Sequence, residues 1–311
     1  MRYGKRLKPG DTIGLIAPSG ACRVPGAVDR AVEGTKRMGF NVKVGESCYA
    51  RYGYLSGTDE VRAGDINRMF TDDEVDAIIC IRGGYGAARI LDRLDYAAIA
   101  AHPKIFVGFS DVTALHLALQ KECQLVTFHG PMAISGWGEH PLDAFSHDSL
   151  FAAIADPAPM GELVNPPEYP RATVNPGVCE GQLVGGNLSL LASTIGSPWE
   201  IDARGRILFI EDVGERTYCL DRMLTQLRLA GKFEDCAGVI FGDFADCPIE
   251  HPGFGLTLEE IIHDVVAPCG KPIFTGLRCG HCTPKLTLPF GTRCRMDADA
   301  CTLTVLEGAV L

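Results

Sequence analysis

An α/β fold with a parallel, doubly wound sheet is the expectation for the first half of this chain. Three observations carry it. Short apolar runs recur there, helical spacings separate them, and two of the runs end in turns rich in glycine or bearing a serine. Strands separated by single helices form a parallel sheet covered on its faces. At 311 residues the chain is long for one core, so two domains are the default.

Thr12 to Ala17 reads as a short strand ending in Pro18, Ser19 and Gly20. Val28 to Met38 has helical spacing and is closed by Gly39, and Asn41 to Val44 is a second strand. Asp59 to Phe70 places Val61, Ile66, Met69 and Phe70 at helical spacing. Ala77 to Ile81 is a third strand that runs into Arg82, Gly83, Gly84, Tyr85 and Gly86, with a helix expected over Ala87 to Leu91. Ile105 to Val107 ends a fourth strand. Gly108 opens a turn there, Asp111 is placed to start a helix, and Val112 to Leu119 continue it. Leu125 to Phe128 follows as a fifth strand. In such sheets, sites form at the carboxyl ends of strands, where both the glycine loop and Ser110 lie.

Six prolines between 156 and 177 break the pattern and predict an extended linker. The expected organisation is therefore a first domain over 1–155, a linker over 156–177 and a second domain over 178–311. The second half is richer in strands: Gly181 to Val184, Arg206 to Ile210, Gly238 to Phe241 and Thr302 to Leu306. Helices are expected over Tyr218 to Ala230 and Leu256 to Val266.

Composition excludes some classes. Apolar residues at 46% and charged residues at 22% suit a soluble globular protein. The formal charge is −10, with no cluster of Lys and Arg, which argues against nucleic acid as a partner. No apolar run approaches the roughly 18 residues of a membrane span, and no apolar targeting segment opens the chain, so a reducing cytoplasm is the expected compartment. Thirteen cysteines are many, but the number is odd and the spacing irregular. Cys279 and Cys282 form the only C-x-x-C, and no second pair stands at zinc-site spacing, so no metal or other cofactor is expected.

A serine at a strand–helix corner can present its hydroxyl beside free helix N–H groups, which is how a nucleophile is displayed. Ser110 is that serine. The alternative is a capping role, since Ser and Asp both cap helices well. Val112 stands where the trailing glycine of G-x-S-x-G would be, so this is not the ordinary hydrolase elbow. A nucleophile needs a base and a group to orient it. His281, in a glycine-rich loop between apolar segments, is the best base. Its rivals are His102, His116, His129, His140, His147, His251 and His263, with His129 the serious competitor because it precedes Gly130 and Pro131 after a strand. Glu211 ends the apolar strand Arg206 to Ile210. A carboxylate there is costly unless hydrogen-bonded, and a histidine N–H would satisfy it. A cap on the next helix, or a pair with Arg216 or Arg222, would do the same, and Asp212 and Glu215 are possible substitutes. The glycines of the 83–86 loop let backbone N–H groups approach a ligand. Half of an oxyanion hole at Gly84, completed by the N–H of Asp111, is the use that fits a nucleophilic serine.

Together these segments resemble the LD-carboxypeptidase family, the S66 serine peptidases. The matching pieces are Ala17 to Ser19, Arg82 to Gly86, Gly108 to Asp111, Gly185 to Leu188, Glu211 with Asp212, and Gly280 with His281, in order over nearly the whole chain. Phe109 departs from the tyrosine of many members. The resemblance implies a Rossmann-like N-terminal domain carrying the serine and a smaller, β-rich α/β C-terminal domain carrying Glu and His. It implies a triad of Ser110, Glu211 and His281 and a homodimer. It implies release of terminal D-alanine from a murein tetrapeptide by hydrolysis of an L,D amide bond. The substrate carboxylate calls for an arginine, for which Arg82 is a candidate, with Gly83 and Tyr85 in the same cleft. A microcin C-type immunity peptidase acting on peptidyl or aminoacyl nucleotides is the alternative within the family. A two-lobed binding protein without catalysis is the alternative outside it.

Overall fold

The computed structural model describes residues 1–138, 140–249 and 253–311. It comprises two compact units. One holds Met1–Ala158, Thr287–Gly291 and Gly308–Leu311; the other holds Pro159–Leu286 and Thr292–Glu307. The boundaries drawn from proline content need correction on two counts. Residues 156–177 are not a bare linker, because Gly161–Glu162 and Ala172–Asn175 are strands. Both lie at the edges of a sheet, where a strand has a side free of ladder bonds and tolerates neighbouring prolines. Residues 178–311 are also not one unit, since two short segments of them belong to the first.

In the first unit, β1 (Thr12–Ile16), β2 (Asn41–Val44), β3 (Ala77–Cys80), β4 (Ile105–Gly108) and β5 (Thr127–His129) form a parallel sheet in the order β5-β4-β3-β1-β2. Leu288–Phe290 adds an antiparallel edge on β5. Strands β3 and β4 are buried along their whole length, which is why they read as unbroken apolar runs, and β5 is buried as well although it carries Thr127 and His129. The chain steps outward from β1 to β2, then returns to lay β3 on the other side of β1. The strand order therefore reverses between β1 and β3, and a crevice opens at their carboxyl ends.

The helices α1 (Ala27–Arg37), α2 (Asp59–Thr71), α3 (Tyr96–Ala101), α4 (Thr113–Cys123) and α5 (Ala144–Ile154) complete this unit. The Thr58 side chain caps α2 by accepting from the Val61 N–H. Helix α4 is buried from Thr113 through Gln120, on every face, so it shows no amphipathic stripe. The helix expected over Ala87 to Leu91 is a 3-10 helix, Ala87–Arg93, entered through Gly86 at φ +123°.

The second unit is the smaller. Its strands are β6 (Gly161–Glu162), β7 (Ala172–Asn175), β8 (Val178–Asn187), β9 (Ile207–Val213), β10 (Gly238–Ala245) and β11 (Ile273–Thr275). With Leu288–Phe290 counted as β12, β13 (Arg293–Asp297) and β14 (Thr302–Val305) follow. The eight-stranded sheet has the order β6-β14-β13-β8-β9-β10-β11-β7. Its centre, β8 to β11, is parallel, and both flanks are antiparallel. Helices α6 (Leu188–Ser193) and α7 (Thr217–Leu229) follow β8 and β9. The helix expected over Leu256 to Val266 is one α-turn, Leu258–Ile261, running into a π-turn, Ile262–Val266.

Helix α4 holds a buried histidine beneath β4. His116 Nε2 donates to the Gly108 carbonyl at 2.9 Å, and Phe106 and Phe290 meet its ring edge-on. Burial, only partly opposed by that hydrogen bond, lowers its pKa to about 4. An unfolded histidine titrates near 6.5, so between those values the unfolded chain binds the extra proton. Stability from this site is thus complete above about 6.5 and declines as pH falls towards 4, by up to roughly 3 kcal/mol. His116→Gln should flatten the fall of unfolding free energy across that window, measured by urea titration at pH 7 and 4.5. An unchanged slope would show that His116 does not carry the effect.

Candidate active site

Ser110 is the first residue of a 3-10 turn, Ser110–Val112, that leads from β4 into α4. Its φ is +67°, in the left-handed region that side-chain-bearing residues rarely adopt. Strain of this kind belongs to strand–turn–helix elbows that push a hydroxyl clear of the chain. The capping role is not what the structure shows. Phe109 and Val112 occupy the cap positions, and neither helix start has a side-chain cap. Asp111 does not start α4 either. Its buried Oδ2 accepts the Ala87 N–H at 2.8 Å and so ties the elbow to the glycine loop.

That loop is shaped around the serine. A Cβ on Gly83 would stand 2.9 Å from Ser110 Cβ and 3.1 Å from its Oγ. Gly84 has φ +124°, and its N–H meets no acceptor among the described residues. The Asp111 N–H lies in the first turn of a helix, where backbone donors lack intrahelical partners. In the chain Gly84 follows Gly83, which packs against Ser110, and Asp111 follows Ser110 itself. A cleft of about 490 Å³ opens beside them, bounded by Arg82, Gly84 and Tyr85 and, across it, Gly20, Arg23 and Tyr54.

Glu211 and His281 lie together in the second unit. Glu211 sits in β9 at 0% exposure, and its Oε2 is 2.7 Å from His281 Nδ1. The carboxylate accepts the Nδ1 proton, so the other ring nitrogen, Nε2, is left as the basic one. Burial pushes the Glu211 carboxyl above the ordinary range, and the hydrogen bond and charge of His281 pull against that. Gly280 makes the approach possible: it has φ +120°, and a Cβ there would stand 2.7 Å from Glu211 Oε2. Glu211 does not cap α7, whose N-cap is Arg216. Asp212 is engaged elsewhere, accepting from Asn187 Nδ2 at 2.8 Å, Ser189 Oγ at 2.8 Å and the Val213 N–H at 2.8 Å.

The rival histidines have other places. His129 is buried among Phe109, Phe290 and His116 at the end of β5. His116 bonds Gly108 as described. His102 reaches the Ala98 carbonyl, His147 pairs with Asp148, and His140 and His263 are exposed. His251 lies outside the described residues. Cys279 and Cys282 are buried, and the Cys279 thiol donates to the Leu286 carbonyl at 3.3 Å. Among the described residues no group of His, Cys, Asp or Glu is arranged to hold a metal ion.

Three supporting residues went unread in the sequence. Arg62, fully buried in α2, donates to the Pro18 and Gly86 carbonyls at 2.5 and 2.7 Å and so clamps the loops after β1 and β3. It shares a helix face with Ile66 and Met69, and a charge at that spacing was the available signal. Asn187 aligns with Glu211 across β8 and β9 and orients Asp212. Lys285 donates to the Gly280 carbonyl at 2.9 Å, holding the loop that carries His281.

With this geometry in view, comparison with known proteins is specific. Residues 13–130 match the LD-carboxypeptidase N-terminal domain, and residues 180–296 match the LD-carboxypeptidase C-terminal domain. The chain is 41% identical to the probable murein peptide carboxypeptidase of Bacillus subtilis, covering 98% of this chain and 94% of that one. It is 30% identical to the microcin C7 self-immunity protein MccF of Escherichia coli, over 97% and 94%. The crystal structure of muramoyltetrapeptide carboxypeptidase from Oxalobacter formigenes superposes with a TM-score of 0.84 at 31% identity, over 96% and 99%.

Two substitutions test the local geometry. Ser110→Gly should be more stable than Ser110→Ala by about 1 kcal/mol, because glycine adopts positive φ without the Cβ penalty. Equal stabilities in urea unfolding would remove the argument for strain. Gly280→Ala should lose at least about 1–2 kcal/mol, from its positive φ and its overlap with Glu211. A fully stable variant would show that the loop can hold His281 in another way.

Proposed function

The chain belongs to the LD-carboxypeptidase family, and on that premise we propose that it is a serine carboxypeptidase releasing the terminal D-alanine of a murein tetrapeptide. One observation carries the reading: a serine held at φ +67° in a chain whose buried Glu211 fixes His281 through a 2.7 Å bond. In this reading Ser110 Oγ attacks the carbonyl of the L,D amide bond while His281 Nε2 takes its proton. Glu211 holds the ring in the Nδ1–H tautomer and stabilises the imidazolium. The N–H groups of Gly84 and Asp111 receive the oxyanion. Collapse breaks the C–N bond, and His281 returns the proton to the departing amine of D-alanine. Water then attacks the acyl-enzyme with His281 again as base, giving the tripeptide acid and free Ser110. No step calls on a metal. A homodimer working in the cytoplasm belongs to the same proposal and rests on the family resemblance.

Incubation with UDP-MurNAc-tetrapeptide, followed by mass spectrometry, should show loss of one alanine. Ser110→Ala and His281→Ala should each bind the peptide but lose on the order of 10⁴-fold or more in kcat. Turnover by Ser110→Ala would sink the assignment. Peptide binding without turnover by the unsubstituted protein would favour a binding role instead.

A further inference from the structure

His281 stands on an irregular loop between β11 and β12, yet a catalytic base needs a place as fixed as that of its nucleophile. The bond from Glu211 holds one ring nitrogen. The backbone that carries the ring needs restraints of its own. The ends of the loop are tied first. The Leu286 N–H donates to the Arg278 carbonyl at 2.8 Å, which closes residues 278–286 on themselves. The Asp243 N–H donates to the Cys279 carbonyl at 2.9 Å, which fastens the loop to β10. A Cβ on Gly242 would stand 2.6 Å from that same carbonyl, so the approach needs glycine there. These bonds fix the two ends and leave the turn beyond His281 to be held by side chains.

Arg278 spans that turn from within the loop. Its Nη2 donates to the Thr283 carbonyl at 2.9 Å, two residues past His281, and its Nη1 to Asp243 Oδ1 at 2.8 Å. The guanidinium lies over the Tyr169 ring, 3.9 Å from its centroid, and the Arg278 N–H donates to Asn165 Oδ1 at 2.9 Å. A planar fork can face a carboxylate and a carbonyl at once while stacking on an aromatic ring; an ammonium cannot. The Arg278 side chain is only 15% exposed. An ion pair so sheltered returns little stability once desolvation is counted, and its use lies in the geometry it imposes. Lys285 does the matching work on the near side, through its bond to the Gly280 carbonyl. The carbonyls one residue before His281 and two residues after it are thus each held by a cation of the same loop. All these residues lie in the second unit.

We propose that Arg278, oriented by Asp243 and Tyr169, is a positioning residue for the base: it sets the turn that presents the His281 ring to Glu211 and to the reacting serine. The inference rests on the peptidase reading, in which His281 Nε2 moves the proton. Arg278 acts through the loop and does not touch the peptide. Both ends of its fork are taken by protein acceptors, so its loss affects the chemical step and not substrate affinity.

Steady-state kinetics of alanine release and proton NMR of the imidazole test this together. Arg278→Gln should lower kcat about 10- to 100-fold and leave KM within about twofold, the signature of a misplaced base rather than a lost substrate contact. Arg278→Lys should recover only part of kcat, because an ammonium cannot span both acceptors. Asp243→Asn should also lower kcat. Joining it to Arg278→Gln should cost little more than Arg278→Gln alone, since both act through one contact. In the folded Arg278→Gln protein the downfield resonance of the His281 Nδ1 proton should broaden or disappear as the ring loosens from Glu211. A side chain that only stabilised the fold would leave kcat and that resonance unchanged well below the unfolding temperature. The proposal is overturned if Arg278→Gln keeps its kcat, or if KM alone rises. Should Arg278→Gln not fold, unchanged kcat in both Arg278→Lys and Asp243→Asn overturns it equally. Alanine release by the unsubstituted protein alongside any of these results would leave the peptidase reading standing and the positioning role refuted. If the unsubstituted protein releases no alanine, the resonance decides alone. Its loss in Arg278→Gln would uphold the positioning of the ring while the peptidase reading fails, and its persistence would refute both.

Discussion

A backbone conformation that serine does not favour is held in place by everything around it. Left-handed φ at a residue with a Cβ costs about 1–2 kcal/mol, and it persists only where the surroundings determine it. At Ser110 several constraints do so at once. Gly83 leaves the room that the side chain occupies. Asp111, one residue on, is bound through Oδ2 to the Ala87 N–H. Gly108, two residues back, has its carbonyl bound by His116. Arg62 then joins the loop carrying Gly86 to the loop carrying Pro18. The elbow is strained but fastened to β1, β3 and α2 as well as to its own strand and helix. That is the rigidity a nucleophile needs, because a small misplacement is costly in rate.

The second unit solves a different problem, that of holding a carboxylate without water. A fully buried Glu211 is expensive to ionise unless a partner compensates it. His281 is that partner, at 2.7 Å, and the low surrounding dielectric makes the attraction larger when the imidazole becomes charged. The approach depends on glycines. At Gly280 any side chain would overlap Glu211. At Gly185, with φ +135°, a Cβ would fall 1.9 Å from the Phe209 carbonyl, so β8 and β9 can lie together only with glycine there. Asn187, aligned with Glu211, donates to Asp212 and also hydrogen-bonds Glu211, so it helps hold the carboxylate that meets the histidine.

Much of this was legible in the sequence because it rests on local features. Asn41–Val44 was read with its exact limits, and α2, β3 and β4 within a residue or so, since apolar period and glycine punctuation set them. The cost of a carboxylate ending an apolar strand called for some partner at Glu211, and the family resemblance, rather than that cost, singled out His281. What escaped depends on contacts distant in sequence. The edge strands β6 and β7 hid among prolines, and the return of Leu288–Phe290 to the first sheet left no local mark. Helix α5 was missed because its apolar residues show little one-sided spacing. The roles of Arg62 and Lys285 lie in bonds to backbone carbonyls; the pattern marks Arg62 as a charge on an apolar helix face but does not reveal its partners. Arg23 belongs to the same class, because its relation to Arg82 follows from the packing of two loops 60 residues apart.

The charge balance has a physical consequence for substrate choice. A chain of net charge −10 repels an anionic peptide at long range. At physiological ionic strength that repulsion is screened within about 8 Å, so the distribution of nearby charge decides binding. The cleft is lined by Arg23 and Arg82, neither of which pairs with an acid among the described residues, and Arg82 is fixed by backbone carbonyls. An acidic protein with a cationic pocket admits an anion only where it can reach the pocket closely.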